Sequence, residues 1–237
     1  GLQAGLAEIR WSEPELIGGA GQGGPTQQLL LDQQGQLWAF WEEHVAYQPP
    51  DRGYDWVHYR VWDGQAWGEL RNIPGSDNYG EPTATLLPDG RILVKVETTT
   101  QKPYLWAQWD GNQWSSVPEM ATLAPLNEGI RAIAADTRGF VHVLGYPIRT
   151  WDGRSWQETE RLGNILYHAS ALDAEGNLHL VGTTLGTTTT NRIRKWTWDG
   201  QLWSVTADVY IPSSSEGGMS IPAMAIGPNG IFHVVWT

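Results

Sequence analysis

The chain has 237 residues, no cysteine, and a net charge of −11 from 15 Lys and Arg against 26 Asp and Glu. The missing cysteines exclude disulfides, zinc–thiolate sites and cysteine nucleophiles, and the acidic field disfavours nucleic acid and anionic membrane surfaces as partners. No stretch approaches the roughly 20 apolar residues of a membrane-spanning helix, while 15 Trp against three Phe point to a repeated aromatic packing layer or to flat rings offered to a ligand.

From the N-terminus, Gly1-Leu2-Gln3-Ala4-Gly5 lacks the basic and apolar regions of a secretory signal, as expected of a mature or trimmed chain. Trp11-Ser12-Glu13-Pro14 then reads as the remnant of an outer strand near residues 9–16. Asp32-Gln33-Gln34-Gly35 is a turn leading into an apolar strand, and Trp62-Asp63-Gly64-Gln65-Ala66-Trp67 is a tight hairpin whose Asp-Gly pair supplies a positive-φ position. Both motifs return. The hairpin starts again at Trp109, Trp151 and Trp198, intervals of 47, 42 and 47 residues. The Gly turn returns at Gly139 and Gly176, and in weaker form at Gly90 and Gly230.

Short strands, Gly-rich turns and a period near 47 residues predict an all-β, five-bladed β-propeller of four-stranded antiparallel blades. A single domain over 1–237 is expected, with blades at about 26–73, 81–120, 130–161 and 167–210 and closing strands at 221–236. The ring is expected to close through one composite blade built from both chain ends, which would remove exposed sheet edges.

The pattern Asp-x-x-Gly-x-Leu-His-x-Val followed by Tyr-x-x-Trp-Asp-Gly-x-x-Trp resembles bacterial propeller proteins grouped with sialidase-like repeats. It is also similar to the Trp-Asp-Gly repeats of bacterial propeller lectins that bind fucose-type sugars, and five blades of this length resemble tachylectin-type lectins in architecture. The resemblance covers the whole chain through turn and packing residues, and implies a lectin-like, carbohydrate-binding module. It departs from sialidases, since no Ser-x-Asp-x-Gly-x-Thr-Trp box is present.

Repetition at every blade assigns the paired Trp to packing and the turn Asp to capping. It assigns His142, His179 and His233 to structure too, because one His per blade cannot converge on a metal. Alignment on the turn Gly places Thr26, Glu81, Ile130, Tyr167 and Ile221 at the start of the inner strands. A single acid there argues against glycosidase chemistry, which needs two carboxylates. No catalytic residue, metal site or cofactor is assigned.

Function is therefore expected on the face opposite the turns, where irregular connections collect on a rigid scaffold. The candidate ligand-binding residues are Glu43, His44, Tyr47, Arg52, Tyr54, Trp56, Tyr79, Glu81, Arg131, Tyr146, Tyr167 and His168, a polar, aromatic rim. The expected partner is a carbohydrate or small polar ligand bound by a monomeric, extracellular or cell-surface chain, with no nucleic acid and no membrane insertion. A protein-interaction scaffold on the same face and a divergent glycoside hydrolase stay open as alternatives.

Overall fold

Each Trp-Asp-Gly hairpin is closed by its own aspartate. Asp63 Oδ1 accepts the backbone N–H groups of Gln65 and Ala66, both at 2.8 Å, and Asp110, Asp152 and Asp199 repeat the arrangement at 2.8–2.9 Å. The following glycines take φ between 93° and 98°, where a side chain would be strained. The turn sets the two Trp opposite each other, with ring centroids 5.7, 5.6, 5.4 and 5.7 Å apart in successive hairpins. In the second motif Asp32, Asp136 and Asp173 cap the chain in the same way, each Oδ1 accepting a backbone N–H four residues on.

The computed structural model describes residues 13, 15–18, 22–45, 54–77, 79–98, 104–122, 132–144, 147–160, 165–184, 192–210, 222–227 and 229–236. Blade one consists of β1 (Gln22–Leu31), β2 (Leu37–Val45), β3 (Tyr54–Trp62) and β4 (Arg71–Asn72). Blade two consists of β5 (Tyr79–Leu86), β6 (Ile92–Thr98), β7 (Leu105–Trp109) and β8 (Trp114–Ser116). Blade three runs through β9 (Ala132–Ala135), β10 (Val141–Leu144), β11 (Ile148–Trp151) and β12 (Trp156–Glu160). Blade four runs through β13 (Ile165–Leu172), β14 (Leu178–Thr184), β15 (Arg192–Trp198) and β16 (Trp203–Tyr210). All four are antiparallel meanders with strands paired in sequence order. Among the described residues, no helix is long and apolar enough to cross a membrane.

The expectation of five blades is corrected. Among the described residues four blades are complete, and β17 (Ala223–Ile226) pairs only with β18 (Phe232–Val235) in a two-stranded sheet. Residues 13 and 15–17, expected to carry the outer strand of a composite blade, form no strand, and Trp11 lies outside the described residues.

The first strands of the sheets, β1, β5, β9, β13 and β17, are neighbours in that order and form the hub. Side chains bridge them. The Gln28 amide donates to Ala84 O at 2.7 Å and accepts from Ala84 N at 2.6 Å, and Ala135 N donates to Thr85 Oγ1 at 3.0 Å. Between blades the core is aromatic and aliphatic. Trp38, Phe40 and Tyr59 of blade one receive Val94, Trp109 and Trp114 of blade two. Leu93 and Trp106 of blade two meet Val143 and Trp151 of blade three, whose Leu144 meets Leu180 and Trp196 of blade four.

Two of the turn-proximal histidines, His142 and His179, have partners in their own blades. His179 Nε2 sits 2.7 Å from Asp173 Oδ2 and its Nδ1 lies 3.0 Å from Thr197 Oγ1. His142 Nδ1 lies 2.9 Å from Thr150 Oγ1. Their rings meet the next sheet edge-on, His142 against Trp198 and Trp203, His179 against Phe232.

Candidate functional site

Counting five residues past each turn glycine gives Phe40, Lys95, Leu144, Val181 and Val235. A lysine thus takes a slot that every other repeat gives to an apolar residue, and its side chain is 0% exposed. Local rules broken without compensation mark functional or strained sites.

Lys95 Nζ lies 3.2 Å from Glu97 Oε2 and 4.9 Å from the centre of the Tyr104 ring. Burial pushes the ammonium's pKa down, against the pull of Glu97 and Glu81. Its cross-strand partners are Thr83 and Trp106. The Thr83 Oγ1 and Trp106 Nε1 atoms are buried and have no hydrogen-bond partner among the described residues.

Glu97 stands seven residues past Gly90, and Glu42 stands at the same phase past Gly35. Glu42 reaches from blade one to blade two, where its Oε2 accepts the Glu81 backbone N–H at 3.2 Å. Gly80 makes room for it, since a Cβ there would lie 2.5 Å from Glu42 Oε1. Glu81 is the bulged residue of β5, in the left-handed region at φ 50°. Burial of its carboxyl, the charge and hydrogen bond of Glu97, and the charge of Glu42 push its pKa up, with Lys95 opposing. Glu81 thus feels two other carboxylates, Glu97 of its own blade and Glu42 of blade one, and the buried Lys95 ammonium feels Glu97 and Glu81. Among the described residues, no three His, Asp or Glu side chains are disposed to hold a metal ion.

Of the rim expected from the sequence, the structure describes the side chains of Glu43, Trp56 and Glu81. Glu43 and Trp56 are direct partners across β2 and β3. They lie on the opposite face of blade one from Glu42, and Glu43 Oε2 is 3.2 Å from His58 Nε2. They do not join Glu81. The backbone of His44, Tyr54, Tyr79, Tyr167 and His168 lies at the loop ends of β2, β3, β5 and β13, paired with Asp55, Val45, Thr98, Thr183 and Gly182 respectively. The side chains of these five, and the whole of Tyr47, Arg52, Arg131 and Tyr146, lie outside what the structure describes. Glu42, Lys95 and Glu97 are absent from the sequence-based set. The signal for them is repeat phase, because alignment on the turn glycine puts both glutamates at one position and the lysine in a core slot.

A second concavity opens between blades one and two on the side of the hairpin turns, with a volume of about 250 Å³. The partly exposed Trp109 indole lines it with Tyr59 and the exposed Glu69 and Arg71. Arg71 Nη2 is 3.4 Å from Glu69 Oε2, and Arg71 stands opposite Tyr59 across β3 and β4. An aromatic wall beside a guanidinium and a carboxylate can meet both the apolar face and the hydroxyls of a sugar ring.

No family model matches the chain, and neither does any curated protein. Solved structures do. The "Hadza microbial sialidase Hz136" superposes with a TM-score of 0.56 at 14% identity, over 89% of this chain and 52% of the sialidase chain, so this chain spans about half of that protein. A protein of unknown function from Dyadobacter fermentans gives 0.57 at 12% identity, over 89% of this chain and 74% of that one. An α-L-arabinanase of Penicillium chrysogenum, solved with arabinobiose, gives 0.53 at 16% identity with the same coverages. At such identities the likeness is one of fold: this chain has a β-propeller fold, shared with sugar-active proteins.

Proposed function

We propose that the chain is a non-enzymatic, carbohydrate-binding propeller. The observation that carries this reading is the cleft between blades one and two, where Trp109, Tyr59, Arg71 and Glu69 converge. Pockets for drug-sized ligands run to about 300–1,000 Å³, so a cleft of about 250 Å³ suits a single sugar ring. A glycan array followed by calorimetry tests the reading. Arg71→Ala is expected to weaken binding at least tenfold while leaving the melting temperature unchanged, because that side chain is exposed. Absence of binding to any glycan at high protein concentration overturns it.

A glycoside hydrolase is the second reading, favoured by the convergence of Glu81 and Glu97 above Lys95. Glycosidases hold their two carboxyl groups about 5–10 Å apart around the scissile bond. Here a third carboxylate, Glu42, accepts the Glu81 backbone N–H, so the candidate pair would be drawn from Glu42, Glu81 and Glu97. Release of nitrophenol from aryl glycosides, abolished by Glu81→Gln, would replace the lectin reading with this one.

A further inference from the structure

The four complete blades form three grooves between consecutive blades on the side of the hairpin turns, and the chain fills two of them itself. In the groove between blades one and two, Trp109, the first Trp of the following hairpin, is partly exposed. Its counterparts in the next two grooves, Trp151 and Trp198, are 8% and 4% exposed. The difference lies in what stands over them.

Arg71 stands four residues past the second Trp of its hairpin, and Pro118 takes that place in blade two. A proline cannot donate to a ladder, so β8 ends at Ser116 and the chain turns into a short 3₁₀ helix, Pro118–Thr122. That helix buries Met120 in the cluster of Trp106 and Trp151, and Met120 O accepts the Trp156 indole N–H at 3.1 Å. Between blades three and four the filler comes from the Gly turn instead. Gln36 lines the first groove, one residue past Gly35, and its counterpart is Phe140, whose ring centre lies 4.6 Å from the Arg138 guanidinium. The same guanidinium reaches the next hairpin, 3.6 Å from where a Cβ on Gly200 would stand, and Asp136 Oδ2 accepts the Trp198 indole N–H at 3.1 Å. At Gly111, the counterpart of Gly200 in the first groove, nothing stands within 4 Å of that point.

We propose, resting on the carbohydrate-binding reading, that the Trp109 cleft takes one free or terminal sugar ring and that the chain does not grip a run of linked sugars across its blades. A polysaccharide crossing blades two to four would meet a filled groove at both following boundaries, and a ring could enter only by displacing the Met120 helix or the Arg138–Phe140 pair. Filling a groove converts its Trp from a platform for a ligand into core. One position of the repeat therefore serves binding at Trp109 and stability at Trp151 and Trp198.

Calorimetric titration of the full chain tests this, first with the methyl glycosides of glucose, galactose, mannose, fucose and N-acetylglucosamine, then with the di- and trisaccharide of whichever binds. One site per chain is expected, with affinities for one, two and three linked rings that agree within about threefold. A gain of about tenfold or more from one ring to three, equivalent to about 1.4 kcal/mol, or more than one site per chain, overturns the single-ring site and leaves the carbohydrate reading standing. No binding of any of these sugars overturns both.

Discussion

Lys95 Nζ lies 3.2 Å from Glu97 Oε2 in a blade interior where the equivalent residues are Phe40, Leu144 and Val181. The pair is asymmetric, for the lysine is fully buried while Glu97 keeps 23% of its side chain exposed. Removing either partner therefore has different consequences. Glu97→Gln leaves a buried ammonium without its carboxylate, and breaking such a pair costs about 3–5 kcal/mol. Lys95→Met puts an apolar chain into an apolar slot and leaves a carboxylate that water reaches, so it should lose far less. Urea unfolding midpoints of the two variants are expected to fall in that order, Glu97→Gln well below Lys95→Met.

Glu81 makes the opposite kind of contribution. A carboxyl whose native pKa stands above its unfolded value stabilises the fold at low pH, and that stability is lost as pH rises through the native pKa. Burial, Glu97 and Glu42 raise Glu81 above 4.5. Glu81→Gln should therefore melt like wild type below pH 4.5 and at a higher temperature at neutral pH. Glu81→Gly should add about 1 kcal/mol more, because it also relieves the positive φ. Melting curves across pH separate the two effects.

For Asp173 the sign reverses. Burial opposes its ionisation, but the hydrogen bonds from His179 and from the Asn177 side chain and backbone outweigh that, lowering the pKa from 3.8 to about 2. The resulting stability is present above pH 3.8 and is lost as pH falls toward 2. Asp136 is lowered in the same direction: burial again opposes, and His142, Arg138, the Phe140 N–H and Trp198 prevail. Thermal melts of wild type should drop steeply in this acid range. Asp173→Asn should be less stable at pH 6, and its curve should approach that of wild type near pH 2.

In the turn of blade three, Gly153 has φ 93° and nothing within 4 Å of where a Cβ would stand. Gly153→Ala thus meets no clash, and its cost is that of the backbone alone. A loss of about 1 kcal/mol is expected in chemical denaturation, with no change in any ligand affinity.

Much of this fold could be read from the sequence because the turns carry it. An Asp side chain that caps its own turn and a Gly at positive φ are local devices, so each hairpin announces itself without knowledge of its neighbours. The Trp pairs follow from the hairpin register. Blade count was less legible. Gly230 repeats the local signal of a blade, but a full blade also needs four paired strands, and among the described residues β17 and β18 pair only with each other. The acidic convergence was missed for a related reason. Glu81 was found at the start of an inner strand, while Glu42 and Glu97 sit on second strands and reach it only because blade one packs on blade two. Glu43, part of the expected rim, follows Glu42 directly in β2, and because successive residues of a strand point opposite ways the two side chains lie on different faces of blade one.

The Gln28 amide, which takes both the donor and the acceptor of Ala84, has a consequence for how the protein comes apart. A primary amide bound in this way imitates one rung of a β-ladder, so blades one and two are stitched across their boundary as strands are within a sheet. The unit that opens as a whole is then larger than a blade. In native-state hydrogen exchange the Ala84 amide should be among the last to trade its proton, opening together with the inner strand of blade one. Gln28→Leu should let the two exchange independently.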